Sequence, residues 1–158
     1  MKKIVIVFSL VLPSLVHAQS ETTKRFQEKH DGAFTLFFYN NTLKMLNMEE
    51  NAEFEALIKD IDKMKFIRVD KKERNMDKAA FNSLVEQYHD EEFEDLMTMR
   101  QEGMDIHVYI KESSGVTKGL VFIMDDDESL SILDVKGAVP LNKVANLLSA
   151  LKPTLGDH

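Results

Sequence analysis

Three groups of side chains in this sequence have the types and spacing that chemistry requires. Asp125-Asp126-Asp127-Glu128 sets four carboxylates in a row, hard oxygen ligands of the kind calcium takes. The run lacks the alternating acids, the glycine at the sixth position and the glutamate at the twelfth of a calcium-binding loop, so it reads as a solvated turn. Met97-Thr98-Met99 and Met45-x-x-Met48, with Met104 and His107 nearby, offer thioether and imidazole ligands suited to copper(I). Methionine at apolar positions more commonly fills irregular gaps in a core, which is the reading we favour. Glu91, Glu92 and Glu94 are close enough in sequence to pair for acid–base work. Glu91 and Glu92 with Asp125 and Asp126 would give a hydrolase a diffuse acidic site.

Other chemistries lack their residues. With no cysteine in the chain, disulfides, thiolate catalysis, Cys-ligated zinc and iron–sulfur clusters are excluded. His30, His89, His107 and His158 have no zinc-ligand spacing, and His107 falls on the polar side of its strand, where exposure is expected. There is no nucleophile elbow and no glycine-rich phosphate loop. Asn40-Asn41-Thr42 matches the N-glycosylation pattern, but helix capping by these residues explains it better. No residue is therefore singled out as catalytic, cofactor-binding or metal-binding.

The start of the chain is an address. Met1-Lys2-Lys3 is basic, Ile4 to Val16 is apolar, and Val16-His17-Ala18 ends in a small residue, the three parts of a secretory leader cut between Ala18 and Gln19. A spanning anchor needs ~20 apolar residues, and Ser9, Pro13 and Ser14 interrupt this shorter stretch. The expected product is a periplasmic or secreted domain of residues 19–158 with no integral membrane segment. Of the 20 basic residues two lie in the leader, leaving 18 against 27 acidic ones, a net charge of −9. That balance repels phosphate backbones, so no nucleic-acid partner is expected. Charge is unevenly spread, basic from Lys59 to Lys78 and acidic from Glu86 to Asp105. Such blocks describe two solvated surfaces, or a bipolar one for docking a partner.

Periodicity supplies the elements. Residues 22–30, with a single Phe26, make a short helix or arm, and Ala33 to Tyr39 a strand apolar on both faces, which places it in the interior of the sheet. A short helix to about Met48 carries a weak stripe of Leu43 and Leu46; a second from Glu50 to Asp60 carries Phe54, Leu57, Ile58 and Ile61. Lys63 to Asp70 is a strand with Met64 and Phe66 on one face and Ile67 and Val69 on the other. Lys71 to Arg74 is a charged turn, and Asp77 caps a helix lined by Phe81, Leu84, Val85 and Tyr88. From residue 93 the period becomes two, giving strands at 93–100, 104–111, 117–124 and 129–135. The strand from Met104 is the clearest half-buried one. Pro140 then opens a closing helix with Val144, Leu147, Leu148 and Leu151 inward. The fold class is α+β, a mainly antiparallel sheet with a C-terminal four-stranded meander and helices packed on one face.

Tyr109-Ile110-Lys111-Glu112, the Ser/Gly turn, Leu120 to Met124, the acidic turn, Leu130-Ser131-Ile132, Val135-Lys136-Gly137 and Leu141 resemble a family of exported Bacteroidetes envelope proteins, domain of unknown function 4252. Lys44-Met45-Leu46 after the first strand fits the same pattern. The resemblance implies a small exported α+β protein without assigned activity, and it supplies no site residues. Some members resemble lipoproteins whose leader ends in cysteine; here His17-Ala18-Gln19 stands at that place. Export, a sufficient core and no assembled reactive group together point to a non-catalytic protein that binds another envelope protein. A hydrolase, or a periplasmic copper or calcium binder, is the alternative.

Overall fold

Ser20 caps the first helix of the computed structural model, which describes residues 20–47 and 51–143. Its hydroxyl accepts the Thr23 amide at 3.2 Å and starts α1 (Glu21–Lys29), which buries Thr22, Thr23 and Phe26. Gly32 turns the chain into β1 (Phe34–Tyr39), and α2 (Asn40–Leu46) and α3 (Ala52–Ile58) follow. The helix after β1 is not capped as expected. Tyr39 holds the cap position without a side-chain bond, and Asn40 is already helical, its amide donating to the carbonyls of Ile61 (2.8 Å) and Ile58 (3.3 Å). Asn51, by contrast, caps α3 through the amides of Glu53 and Phe54.

Ile61 is the second difference. It is buried, but it begins β2 (Ile61–Asp70) instead of ending α3, because Ile58 closes the helix and a bulge between Ile61 and Lys63 starts the ladder. The charged turn is one helical turn, α4 (Lys71–Arg74), capped by Asp70. Asp77 caps α5 (Lys78–Asp90) through the Ala80 amide at 2.8 Å, and Leu84 and Tyr88 are buried.

The meander is β3 (Glu94–Gln101), β4 (Met104–Ser113), β5 (Val116–Asp125) and β6 (Ser129–Gly137). Glu102-Gly103 and Ser114-Gly115 join the first three with positive φ at both positions, the geometry of two-residue turns between right-twisted strands. All six strands pair antiparallel in the order β1-β2-β6-β5-β4-β3. A 3-10 turn at Leu141–Lys143 follows Pro140. The leader, Met48, Glu50, His158 and the closing helix with Val144, Leu147, Leu148 and Leu151 lie outside the described residues.

The α+β class and the antiparallel meander hold, but the helices are not confined to one face. Leu43, Leu57 and Ile58 pack on Met64, Phe66, Val108, Leu120, Phe122, Leu133 and Val135. Phe26, Leu84 and Tyr88 pack on the alternate positions Ile67, Val69, Tyr109, Val121, Ile123, Leu130 and Ile132. The second layer exists because β2 and β3 occupy different parts of the sheet, so the chain between them crosses it as α5. β4 is accordingly not half-buried: Tyr109, on its polar-patterned side, is 1% exposed and stacks near Tyr88.

Candidate functional site

A groove of about 590 Å³ opens where α1 begins, where α5 ends and where β5 and β6 lie side by side. Ser20, Glu91, Phe93, Lys111, Asp134 and Gly137 are among the residues that line it. Glu91 is the cap residue at the C-terminus of α5, and Glu92 after it turns the chain with a φ of 66°. The Glu91 carboxylate accepts the Glu21 amide at 3.0 Å, the Thr22 amide and the Ser20 hydroxyl at 3.3 Å. Asp134 projects from β6 toward the same turn and accepts the Ser20 amide at 3.3 Å. Thr23 completes the set, hydrogen-bonding Asp134 and sharing a 2.8 Å bond with the buried hydroxyl of Tyr88.

The backbone amides of Ser20, Glu21, Thr22 and Thr23 are thus all bound by side chains, at a helix end that has no intrahelical partners for its first donors. Burial raises the Asp134 carboxyl to about 6, against the opposing bonds from Thr23 and Ser20 and the nearby Lys65. Burial likewise lifts the Tyr88 phenol well above its usual value, with the charge of Asp134 adding to it. Two carboxylates beside a groove, one with a raised pKa, can move a proton. Here both are engaged with the first turn of α1, the Ser20 hydroxyl beside them is itself the cap of that helix, and no histidine is among the described groove residues. The arrangement is a latch that fastens the start of α1 to the sheet.

The second feature is β1, which the apolar pattern on both faces placed inside the sheet but which forms its edge among the described residues, because it pairs with β2 alone. Phe34, Phe37 and Tyr39 are 56%, 46% and 59% exposed, and Met45 on α2 is exposed as well. β1 contains no charge, no proline and no bulge along its six pairs with β2. On β2, Lys63, Lys65 and Arg68 stand opposite Tyr39, Phe37 and Phe34, and the Lys65 ammonium lies 5.1 Å from the Phe37 ring centre. The opposite edge, β3, carries Glu94, Asp95 and Arg100 and is bent by a bulge between Asp95 and Met97. Charge and bulges protect an edge against further pairing. β3 has both, and β1 has neither.

A family model described as a domain of unknown function, DUF4252, matches residues 27–147. The chain belongs to this family. No curated protein and no solved structure matches it. The DUF4252 match covers β1 and both carboxylates of the latch, but begins inside α1, after Ser20, Thr22 and Thr23.

In this DUF4252 protein the four acids of the diffuse hydrolytic site do not meet. Glu91 lines the groove where β4 ends and β5 begins, whereas Asp125 stands at the opposite end of β5, paired with Lys71 at 2.8 Å. Glu92 is exposed to Lys111 at 3.8 Å. The copper set is divided by the sheet. Met99 and Met104 pack on the α2–α3 side, while His107 faces α5, half-buried 5.1 Å from the Phe81 ring. His107 is thus less exposed than its polar position suggested. His89 pairs with Asp95 at 3.1 Å, and His30 is buried against Phe26, where burial lowers its pKa. Among the described residues no three His, Cys, Asp or Glu side chains are grouped to hold a metal. Likewise, no described helix is long and apolar enough to cross a membrane.

The acidic turn is built from within. The Asp126 carboxylate accepts the amides of Glu128 (2.8 Å) and Ser129 (2.6 Å) and the Ser129 hydroxyl (2.8 Å). Burial works to raise the Asp126 pKa, but these bonds outweigh it and hold the group below the usual carboxylate value. Replacing Asp126 with alanine is expected to cost about 1–2 kcal/mol, the worth of one or two such bonds. The loss should be the same with and without millimolar calcium, and the wild-type melting temperature should not move with the ion. A calcium-dependent rise of several degrees that Asp126→Ala removes would show a cation site.

Proposed function

We propose that this chain is an exported, non-catalytic envelope protein, of the Bacteroidetes kind it resembles. It binds another envelope protein by taking an extended segment of it as a seventh strand beside β1. The observation that carries the reading is the contrast between the two sheet edges. β1 offers an uncharged aromatic strand whose outer backbone groups have no partner strand among the described residues, while β3 is guarded. Strand addition takes affinity from main-chain hydrogen bonds and specificity from alternate side chains. Lys63, half-buried behind the edge opposite Tyr39, favours a segment whose apolar residues alternate with acidic ones. The leader pattern at residues 1–18 supports a location in the periplasm or outside the cell.

A photo-cross-linking residue at position 37 tests this in cells, with position 98 on β3 as the comparison. Capture of an envelope protein through position 37 and not through position 98 is expected. The isolated mature protein should also bind a ten-residue peptide alternating valine with glutamate, and Phe37→Lys should weaken that binding at least tenfold. Phe37→Lys sets a second ammonium opposite Lys65, so a loss of up to about 1 kcal/mol, about 4 °C in melting temperature, is expected with the fold kept. Equal capture at both edges, recovery of only a second copy, or equal affinity for a valine–lysine peptide would overturn the reading.

A further inference from the structure

We infer that the cavity between α1 and α5 at His30 is a binding site for a small oxyanion, a phosphate or sulfate group. This goes beyond strand addition at β1 and does not depend on it. Arg25 and Lys29 line the cavity from successive turns of α1, Ser83 and Gln87 from successive turns of α5, and His30 closes α1 beside them. The remaining lining residues are apolar, and none is acidic. The cavity holds about 100 Å³. At about 30 Å³ per water, that is room for about three waters or one tetrahedral oxyanion.

These cations are short of partners. Among the described residues Lys29 enters no ion pair, and nor does Arg74, the other cation felt at His30. Arg25 meets Glu91 only at 3.8 Å, with its side chain 57% exposed. Arg25 and Lys29 are also like charges four positions apart on one helix, a spacing at which they repel. His30 is the second observation. It is 4% exposed, its ring centre lies 4.5 Å from that of Phe26, and its Nε2 has no hydrogen-bond partner among the described residues. Buried polar side-chain atoms are mostly paired. An oxyanion beside Arg25 and Lys29 would take hydrogen bonds from both and, as the ring turns into the cavity, from the Nε2–H. The charged groups around the ring are Arg25 and Lys29 on α1 and Arg74 on α4, whose guanidinium donates to the Asp31 carbonyl at 3.1 Å. From α5 only Ala80, Ser83, Leu84 and Gln87 line the cavity. Burial, then Lys29 and Arg74, lower the His30 pKa, and an anion opposes both charges. Anion binding and His30 protonation therefore favour each other. A bound anion would also tie α1 to α5, beside the bonds of Thr22 to the Gln87 carbonyl and of Thr23 with Tyr88.

Inorganic phosphate, titrated against chloride into the isolated mature protein at constant ionic strength, tests this by NMR. The His30 ring and the Lys29 and Ser83 amides should shift saturably, with a Kd in the millimolar range or below. Arg25→Gln and Lys29→Gln should each weaken binding at least threefold, while Lys44→Gln on α2 leaves it unchanged. Arg25, Lys29 and Lys44 are exposed, so these variants keep the fold. With sulfate, whose charge is constant across the range, the His30 ring should titrate at a higher pH than with chloride. Sedimentation with phosphatidylglycerol vesicles that Lys29→Gln abolishes would place the phosphate on a lipid headgroup; no sedimentation would leave the free ion as the ligand. No saturable shift, wild-type affinity in Arg25→Gln and Lys29→Gln, or an unmoved His30 titration would overturn the site.

Discussion

Gly137→Ala is expected to lower the melting temperature by about 10–15 °C, or to prevent folding, through a loss of about 3–5 kcal/mol. Gly137 ends β6 with a φ of 133°, a conformation that side chains rarely adopt. An added methyl would also collide with the Asp60 carbonyl oxygen and stand 2.8 Å from the Ile61 Cα and 2.9 Å from the Asp62 nitrogen. All three are backbone atoms, so no side-chain rotation relieves the contact. The same stretch holds the Ala138 amide on the Asp60 carbonyl at 2.9 Å and begins the β2–β6 ladder. Gly115→Ala is the control. Its φ is 74°, but nothing lies within 4 Å of the added atom, so it should cost only about 1–2 kcal/mol. Thermal melts of the two variants check the prediction, and equal losses would show that φ alone, not the close approach, constrains Gly137.

Asp134→Asn should stabilise the protein progressively as pH rises. The Asp134 carboxyl titrates at about 6 in the fold against an ordinary value of 3.8, burial being the chief cause. Between those values the native state binds the proton that the unfolded chain has lost. The favourable contribution is therefore complete below pH 3.8 and disappears as pH climbs through 6. Two pKa units correspond to about 3 kcal/mol for this buried group. Asparagine fills the same space, accepts the Ser20 amide and never ionises. The melting temperature of Asp134→Asn relative to wild type should accordingly rise by about 10 °C between pH 4 and pH 7. A flat difference would mean that Asp134 is solvated or already paired. For a catalytic acid, Asp134→Asn would abolish turnover; for a latch, it tightens the attachment of α1 and leaves capture at β1 unchanged.

Neither Gly137 nor Asp134 had a local signal of its role. Gly137 could be read as the end of a strand, but not as the point where Asp60 and Asp62 press against it, 75 or more residues away. Asp134 is one polar residue in an alternating strand, and its partner Ser20 stands 114 positions before it. Glu91 was legible as an acid near a helix end, yet its bonds go to α1, 69 to 71 positions away, and not to the acids beside it. Where the deciding contact is local, the reading and the structure agree. Asp77 caps α5, the Gly103 and Ser114-Gly115 turns join their strands, and Met64 and Phe66 oppose Ile67 and Val69 across β2. Ile61 shows the boundary between these cases. Its spacing from Phe54 satisfies a helical stripe, but pairing with Gly137 draws it into β2.

From residue order alone came the α+β class, the antiparallel meander, the opposed faces of β2 and the lack of thiol or phosphate-loop chemistry, because periods of two and 3.6 and residue types are properties of short windows. Tertiary structure alone decided that helices cover both faces, that β1 and not β3 is the unguarded edge, and that Glu91 and Asp134 close on the start of α1. Those outcomes depend on which distant segments are brought together as the sheet assembles, and no short window holds both partners.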